Sequence, residues 1–245
     1  MIIYFSATGN CKFVAQKIAD ATNDYIISMT ELENEINLSE NENLGIVSPT
    51  YYWGLPSYVD EFMEKIQVKG NKNSYIYYVA TYGTTCGQTG IFMQNYINKN
   101  GLILDAKYSV KMPDNWTVIF DLSDKKKVAK INEKELPQIN SIISHVKNHD
   151  TGDFMKSKVP MFAVKLWKTK YEKDRRTYHL HVNDDCISCG LCARNCPINV
   201  IEMKNKKPIW VKEQCVMCLK CLHHCPKFAI QYDNKTQKHG QYIHP

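Results

Sequence analysis

Between Cys186 and Cys225 one cysteine spacing is written twice. Cys186-x2-Cys189-x2-Cys192-x3-Cys196-Pro197 is followed by Cys215-x2-Cys218-x2-Cys221-x3-Cys225-Pro226. Three thiolates at two-residue intervals wrap three corners of a cuboidal [4Fe–4S] cluster, and a remote fourth closes the remaining corner. Paired Cys-x2-Cys units also build four-cysteine zinc sites, but two triple runs with trailing Cys-Pro suit zinc poorly. Eight of the ten cysteines lie in this array. The N-terminus, MIIYFSATGN, has neither a basic leader nor a small-residue cleavage site. The expectation is therefore a reducing, cytoplasmic setting and bound metal, not a disulfide framework.

Short strand patterns occur at Val200–Met203, Ile209–Val211 and, after the second run, Ala229–Tyr232. Over about residues 180–235 the chain resembles the two-cluster bacterial ferredoxins. The resemblance implies a small α+β domain and low-potential, one-electron transfer between proteins. It also implies crossed ligation. One [4Fe–4S] cluster takes Cys186, Cys189, Cys192 and Cys225; the other takes Cys215, Cys218, Cys221 and Cys196. Ile187, Ile198, Val216 and Phe228 are expected to pack against the clusters. His223 and His224, beside Cys225, either tune a cluster or are ordinary satisfied histidines.

Charge divides the chain. Residues 1–150 carry a net −3 and residues 151–245 a net +9. The expected domains are 1–150 and 180–245, joined by a basic linker over 151–179. The first part alternates strand patterns (Met1–Phe5, Tyr25–Met29, Leu44–Ser48, Ser74–Ala80, Leu102–Met112) with helical ones (Lys12–Ala21, Ser57–Ile66, Gly90–Lys99). Residues 31–43 read as a helical turn and loop. A last helix runs from Ser123 towards Asn148, interrupted at Pro137. Strand–helix alternation predicts an α/β, doubly wound, five-stranded parallel sheet, with ligands at the C-terminal strand ends.

Three loops at those ends carry chemistry. Ser6-Ala7-Thr8-Gly9-Asn10-Cys11 offers hydroxyls and helix N-terminal N–H groups to a phosphate, or is a plain capped turn. Neither GxxxxGK[ST] nor GxGxxG occurs, which disfavours ATP hydrolysis and dinucleotide binding there. Pro49-Thr50-Tyr51-Tyr52-Trp53-Gly54 offers rings that stack on a flat heterocycle or simply pack. Thr81-Tyr82-Gly83-Thr84-Thr85-Cys86-Gly87 offers glycines and N–H donors to a ring edge. In order and place these loops resemble those of the flavodoxins, whose phosphate loop reads [ST]-x-T-G-N-[ST]. Cys11 departs from that pattern, and a thiol is the weaker donor. The resemblance covers about residues 1–150 and implies FMN as cofactor. Its implied contacts are Ser6 to Cys11, Pro49 to Gly54, Thr81, Tyr82, Gly83, Cys86 and Gly87. Cys86 reads as a small packing residue near the flavin, or as a redox thiol.

The linker alternates Lys156, Lys158, Lys165, Lys168, Lys170, Lys173, Arg175 and Arg176 with Phe154, Val159, Phe162, Leu166, Trp167 and Tyr171. It is either a packed connector or a docking stripe for an acidic redox protein. The segment is too short, and the net charge too moderate, to point to nucleic acid. No apolar run reaches the roughly 18 residues that span a bilayer. As a whole the chain resembles flavodoxin–ferredoxin fusion proteins. That resemblance implies electron transfer among FMN, two [4Fe–4S] clusters and an external redox protein, with a homodimer left open. The alternative is a flavin-dependent reductase of a small molecule, fed by the clusters.

Overall fold

The computed structural model describes residues 1–33, 35–39, 42–70 and 73–245. The first half contains β1 (Ile2–Tyr4), α1 (Asn10–Thr22), β2 (Ile26–Ser28), β3 (Glu35–Asn37), β4 (Leu44–Pro49), α2 (Ser57–Lys65) and β5 (Gln67–Lys69). It continues with β6 (Ile76–Tyr82), α3 (Thr89–Lys99), β7 (Ala106–Lys111), α4 (Lys125–Asn132), α5 (Glu135–Lys147) and β8 (Gly152–Asp153). Then come α6 (Met161–Asp174), β9 (Leu180–Val182), α7 (Leu191–Arg194), β10 (Ile201–Lys204), β11 (Lys207–Trp210), α8 (Lys220–His223) and β12 (Ile230–Tyr232).

Six strands form one parallel sheet in the order β2-β1-β4-β6-β7-β8. The sequence predicts five of them. The sixth, β8, is a two-residue edge that pairs Gly152 with Ala106 and Asp153 with Lys107, and two residues carry no periodicity to read. Strand side chains alternate between faces. Ile3, Phe5, Ile46 and Tyr78 meet Val59 and Met63 of α2 and Met93 and Ile97 of α3 on one side. Ile2, Val47, Tyr77 and Val79 meet Val14 and Ile18 of α1 and Ile139 and Ile142 of α5 on the other. The strand order changes direction at β1 and β4, so the loops after them flank the crevice where ligands bind in such sheets.

Within 31–43, residues 34, 40 and 41 lie outside the described residues. Glu35–Asn37, read as loop, is a short strand paired in parallel with Gln67–Lys69. The helix expected from Ser123 is two helices. The break falls at Glu133–Lys134, and Pro137 stands in the first turn of α5, where its missing N–H is not needed.

The cysteine-rich part is built twice over. β10 pairs antiparallel with β11, and β12 with β9. Left-handed residues recur at the same register in both runs: Ser188 and Met217, Gly190 and Leu219, Asn199 and Phe228. One-turn helices α7 and α8 follow Gly190 and Leu219. The duplicated spacing is therefore also a duplicated backbone path. The two halves of the chain share apolar packing, in which Tyr51, Tyr52, Trp116 and Val118 join Cys215, Met217, Leu219 and Leu222.

The segment between them is mostly helix. Val164 and Tyr171 of α6 are buried. The Tyr171 hydroxyl donates to the Val216 carbonyl at 2.7 Å and accepts from the Ser57 N–H at 3.1 Å, tying one side to the other.

Candidate functional site: a flavin cleft walled by cysteine residues

Gly9 precedes α1 with φ 104°, a conformation that L side chains avoid. It turns the chain so that the first N–H groups of α1, which lack intrahelical acceptors, face a common point. Ser6 Oγ accepts from the Gly9 N–H at 3.2 Å and holds the turn. Ser6, Ala7, Thr8, Asn10 and Cys11 line a small polar hollow with Pro49, Thr81, Tyr82 and Pro113. Its rim residues Thr50, Tyr51, Gly83, Asp114 and Asn115 also line a wider chamber of about 230 Å³. The two form one cleft, polar at the α1 end and aromatic at the other.

The aromatic end rests on a strained turn. Tyr52 and Trp53 have φ of 49° and 65°, and Tyr51 and Gly54 exchange backbone hydrogen bonds of 2.9 and 2.8 Å. Two consecutive left-handed residues make a type I′ turn, which ordinarily takes Asn and Gly. Bulky residues there cost about 1–2 kcal/mol each, and aromatic contacts hold them. The Tyr52 ring lies 4.9 Å from Trp116 and 5.1 Å from Tyr171; Trp53 lies 5.0 Å from Trp167. The Tyr52 hydroxyl donates to Asp174 Oδ2 at 2.6 Å. Burial raises the pKa of both Tyr51 and Tyr52, so both stay protonated phenols.

The opposite wall belongs to the second cysteine run. Met217, Cys218 and Leu219 face the chamber together with Thr50 to Trp53, Thr84, Thr85, Trp116, Ile119, Phe120 and Trp167. Two buried donors in this cleft, Thr50 Oγ1 and Trp116 Nε1, have no hydrogen-bond partner among the described residues. Asp114 leans into the space over Gly83, where a Cβ would stand 2.2 Å from the Asp114 Cβ. Burial pushes the Asp114 carboxyl up to about 6 despite its bond from the Trp116 N–H. An anion-binding loop, a flat aromatic chamber and two orphaned donors fit a phosphorylated tricycle such as FMN.

Several residues expected at the flavin are not in the lining of this cleft. Cys86 lies behind the cleft, where its thiol donates to the Lys156 carbonyl at 2.8 Å and burial pushes it up to about 11. Gly87 does not line the cleft; a Cβ there would stand 1.8 Å from the Trp53 carbonyl oxygen, so its role is loop-on-loop packing. Gly54 lines a separate cavity against α2, α3 and α6. The Cys11 thiol lies within 3.2 Å of Thr81 Oγ1, and burial pushes it up to about 12. It is a core group, and its N–H remains at the helix start. Sequence reasoning missed Asp114, Asn115 and Trp116 after β7. They occupy the next C-terminal strand end, and the same topological rule points to them.

Cys186 and Cys189 act electrostatically on Cys192, Cys196 acts on Cys215, Cys218 and Cys221, and Cys192 also acts on Cys221, so the two cysteine runs adjoin. Cys196 and Cys225 are equivalent: each Sγ accepts from the N–H four residues on, Val200 at 3.4 Å and Ala229 at 3.2 Å. Burial pushes Cys215 up to about 11 and Cys218 up to about 12. As thiolates these groups would need a cationic partner, which the iron of a bound cluster would supply. Among the described residues no three metal-ligating side chains converge closely enough for a single ion. His223 is buried, and burial lowers it to about 4. Its Nε2 donates to the Asn115 carbonyl at 2.8 Å and its Nδ1 accepts from the Tyr242 N–H at 3.2 Å.

Residues 1–140 match the family model of a flavodoxin domain. The chain belongs to the flavodoxin-domain family. Behind this flavodoxin domain, residues 185–230 match a 4Fe-4S dicluster domain, so the whole is a flavodoxin–ferredoxin fusion. The flavodoxin domain implies FMN, the dicluster domain implies iron–sulfur clusters, and together they make an electron-transfer flavo-iron–sulfur protein. The flavodoxin domain is similar to a flavodoxin of Streptococcus pneumonia TIGR4, at 14% identity, covering 60% of this chain and 96% of that one, with a TM-score of 0.42. It is similar to a flavodoxin from the domain Archaea, at 18% identity, with coverage of 57% and 96% and a TM-score of 0.36. A flavone reductase matches at 9% identity, with coverage of 85% and 80% and a TM-score of 0.37. Among curated proteins no relative matches. No helix among the described residues is long and apolar enough to cross a membrane.

Proposed function

We propose that the protein relays electrons among FMN in the cleft, two [4Fe–4S] clusters and an external redox protein. When bound, the flavin exchanges electrons singly or in pairs and each cluster exchanges one at a time. One observation carries the relay: Met217, Cys218 and Leu219 are both part of the second cysteine run and a wall of the flavin cleft. Tyr51 is close enough to Cys218 that a thiolate there raises its phenol further. The group of Cys196, Cys215, Cys218 and Cys221 is therefore the inner station. The group of Cys186, Cys189, Cys192 and Cys225 is the outer one, and its Cys189 is exposed. The phosphate end is held by the Ser6–Cys11 loop, and the ring lies against Tyr51, Tyr52, Gly83 and Trp116.

Anaerobic purification should yield about eight iron atoms and one FMN per chain. Rapid mixing with a reduced one-electron donor should bleach both absorptions within one turnover. Iron without flavin, even after FMN is added, sinks the relay. Turnover of a small molecule with no exchange to protein carriers selects the reductase reading instead.

The outward face of α6 supplies the docking surface in this reading. Phe162 and Leu166, one turn apart, are 69% and 72% exposed, and the exposed Lys165, Lys168 and Lys173 frame them. An acidic one-electron carrier complements that frame. Replacing the three lysines with Glu is expected to slow association with an acidic two-cluster ferredoxin about ten-fold at low salt. The salt dependence should vanish, with iron and flavin contents unchanged. An unaltered association rate places docking elsewhere.

A further inference from the structure

Residues 241–245 leave the dicluster domain and lie across the loop that begins the flavodoxin domain. Gln241 Nε2 donates to the carbonyls of Leu222 at 2.7 Å and Cys225 at 2.8 Å. The Tyr242 N–H donates to His223 Nδ1, and its hydroxyl donates to Asn10 Oδ1 at 2.8 Å. The His244 N–H donates to the Thr8 carbonyl at 2.7 Å. The His244 ring stacks on Phe13 at 4.2 Å, and its Nε2 meets Glu135 Oε1 at 2.7 Å. The contact at Gly9 is so close that a Cβ there would stand 2.9 Å from the His244 Cβ. A second path starts at the same place. His223 Nε2 donates to the Asn115 carbonyl, and Asn115 Nδ2 donates to Thr8 Oγ1 at 2.6 Å. Both paths begin between Cys221 and Cys225, cysteines assigned to different clusters, and both end on Thr8 or Asn10.

We propose that Tyr242 and His244 are positioning residues for the phosphate loop, and that through them the loop's grip on FMN depends on a metal-loaded dicluster domain. The inference rests on the flavin reading of the cleft. The loop binds phosphate through backbone N–H groups around a left-handed glycine, so its affinity depends on how far that shape is set beforehand. Tyr242 and His244 fix two of its residues, and Asn115 fixes Thr8 a second time. Their own anchor is the α8 segment, whose path depends on Cys221 and Cys225 being held. Cluster loading and flavin affinity are then thermodynamically linked, and the linkage is reciprocal.

The test is a set of anaerobic fluorescence titrations with FMN and with riboflavin, which lacks the phosphate. They use the full chain with its clusters, the same chain after iron chelation, and a Tyr242→Phe/His244→Ala variant with its clusters. The variant keeps the backbone bond from His244 to Thr8 but loses the Tyr242 hydroxyl's bond to Asn10 and the His244 ring's contacts with Phe13 and Glu135 that seat it. It should weaken FMN binding about ten-fold, the factor that one or two lost hydrogen bonds correspond to, and leave riboflavin binding unchanged. Chelation should weaken FMN in the wild type and add little in the variant. The single Tyr242→Phe change, which keeps the ring, should fall between. Equal FMN affinity in wild type and variant overturns the inference, as does parallel weakening of FMN and riboflavin, which would report a loosened domain. If neither ligand binds the wild type, the flavin reading fails and takes the inference with it.

Discussion

Replacing Cys218 with Ala is expected to halve the iron content, from about eight to about four atoms per chain, and to stop electron exchange with the flavin. Cys218 faces the flavin cleft and is grouped with Cys196 and Cys215. Removing it takes away both a ligand of the inner station and part of the cleft wall. The matching change at the exposed Cys189 removes only the outer station. Cys189→Ala should therefore also halve the iron but leave the flavin in rapid exchange with the iron that remains. Iron analysis, with rapid-mixing spectroscopy on both variants, separates the two stations. If the flavin equilibrates equally well in both variants, the cleft wall does not define the route. Retention of full iron by Cys218→Ala would show that the thiol is not a ligand at all. Truncation to Ala costs burial as well, so the flavin affinity of Cys218→Ala should be measured beside its iron. A variant that binds FMN normally yet fails to exchange locates the defect in the relay.

The sequence displays the parts of this site that depend on local spacing. The cysteine register is strictly periodic, and the same register reappears as left-handed Ser188 and Met217, and as Gly190 and Leu219. The Ser6–Cys11 loop is visible because a helix start that receives an anion needs small and hydroxyl residues in order. What depends on distant contacts is not visible. Gly87 reads as a ring-edge glycine, but the group it admits is the Trp53 carbonyl of another loop. Cys86 reads as a packing residue near the flavin, with a redox thiol as the alternative, and its thiol is turned to the Lys156 carbonyl, outside the lining of the cleft. The 151–179 stretch alternates aromatic and basic residues without a clean helical stripe. Its helix is fixed by partners on two sides, through Val164, Trp167 and Tyr171, and no single face shows. The tail at Tyr242 and His244 carries no local signal, because its bonds to Asn10 and Thr8 span nearly the whole chain.

Asp114 sets up the second large effect. Its carboxyl is half-buried beside the cleft and is pushed from 3.8 up to about 6 by the water it loses there. Folding therefore favours the protonated acid. Between about pH 4 and pH 6 the folded chain holds a proton that the unfolded chain has released, so stability falls as pH rises through that window. Above pH 6 the native state carries a half-buried carboxylate whose cost is on the order of 2–3 kcal/mol. Asp60, also pushed up to about 6 by burial, adds a contribution of the same sign. Asp114→Asn keeps the size and the acceptor for the Trp116 N–H and removes the charge. It should raise the denaturant midpoint at pH 7 to 8 and change it little at pH 5. The same change should alter the flavin. An ionised Asp114 repels electrons added to the ring, so the Asn variant should show a more positive FMN midpoint potential at pH 7.5, with the difference shrinking at pH 5. Denaturation curves and redox titrations at those two pH values decide the matter. A variant that tracks the wild type at both would show that Asp114 is solvated and ionised as an ordinary surface carboxylate. A stability gain without a change in potential would place the charge in the fold but too far from the ring to act on it.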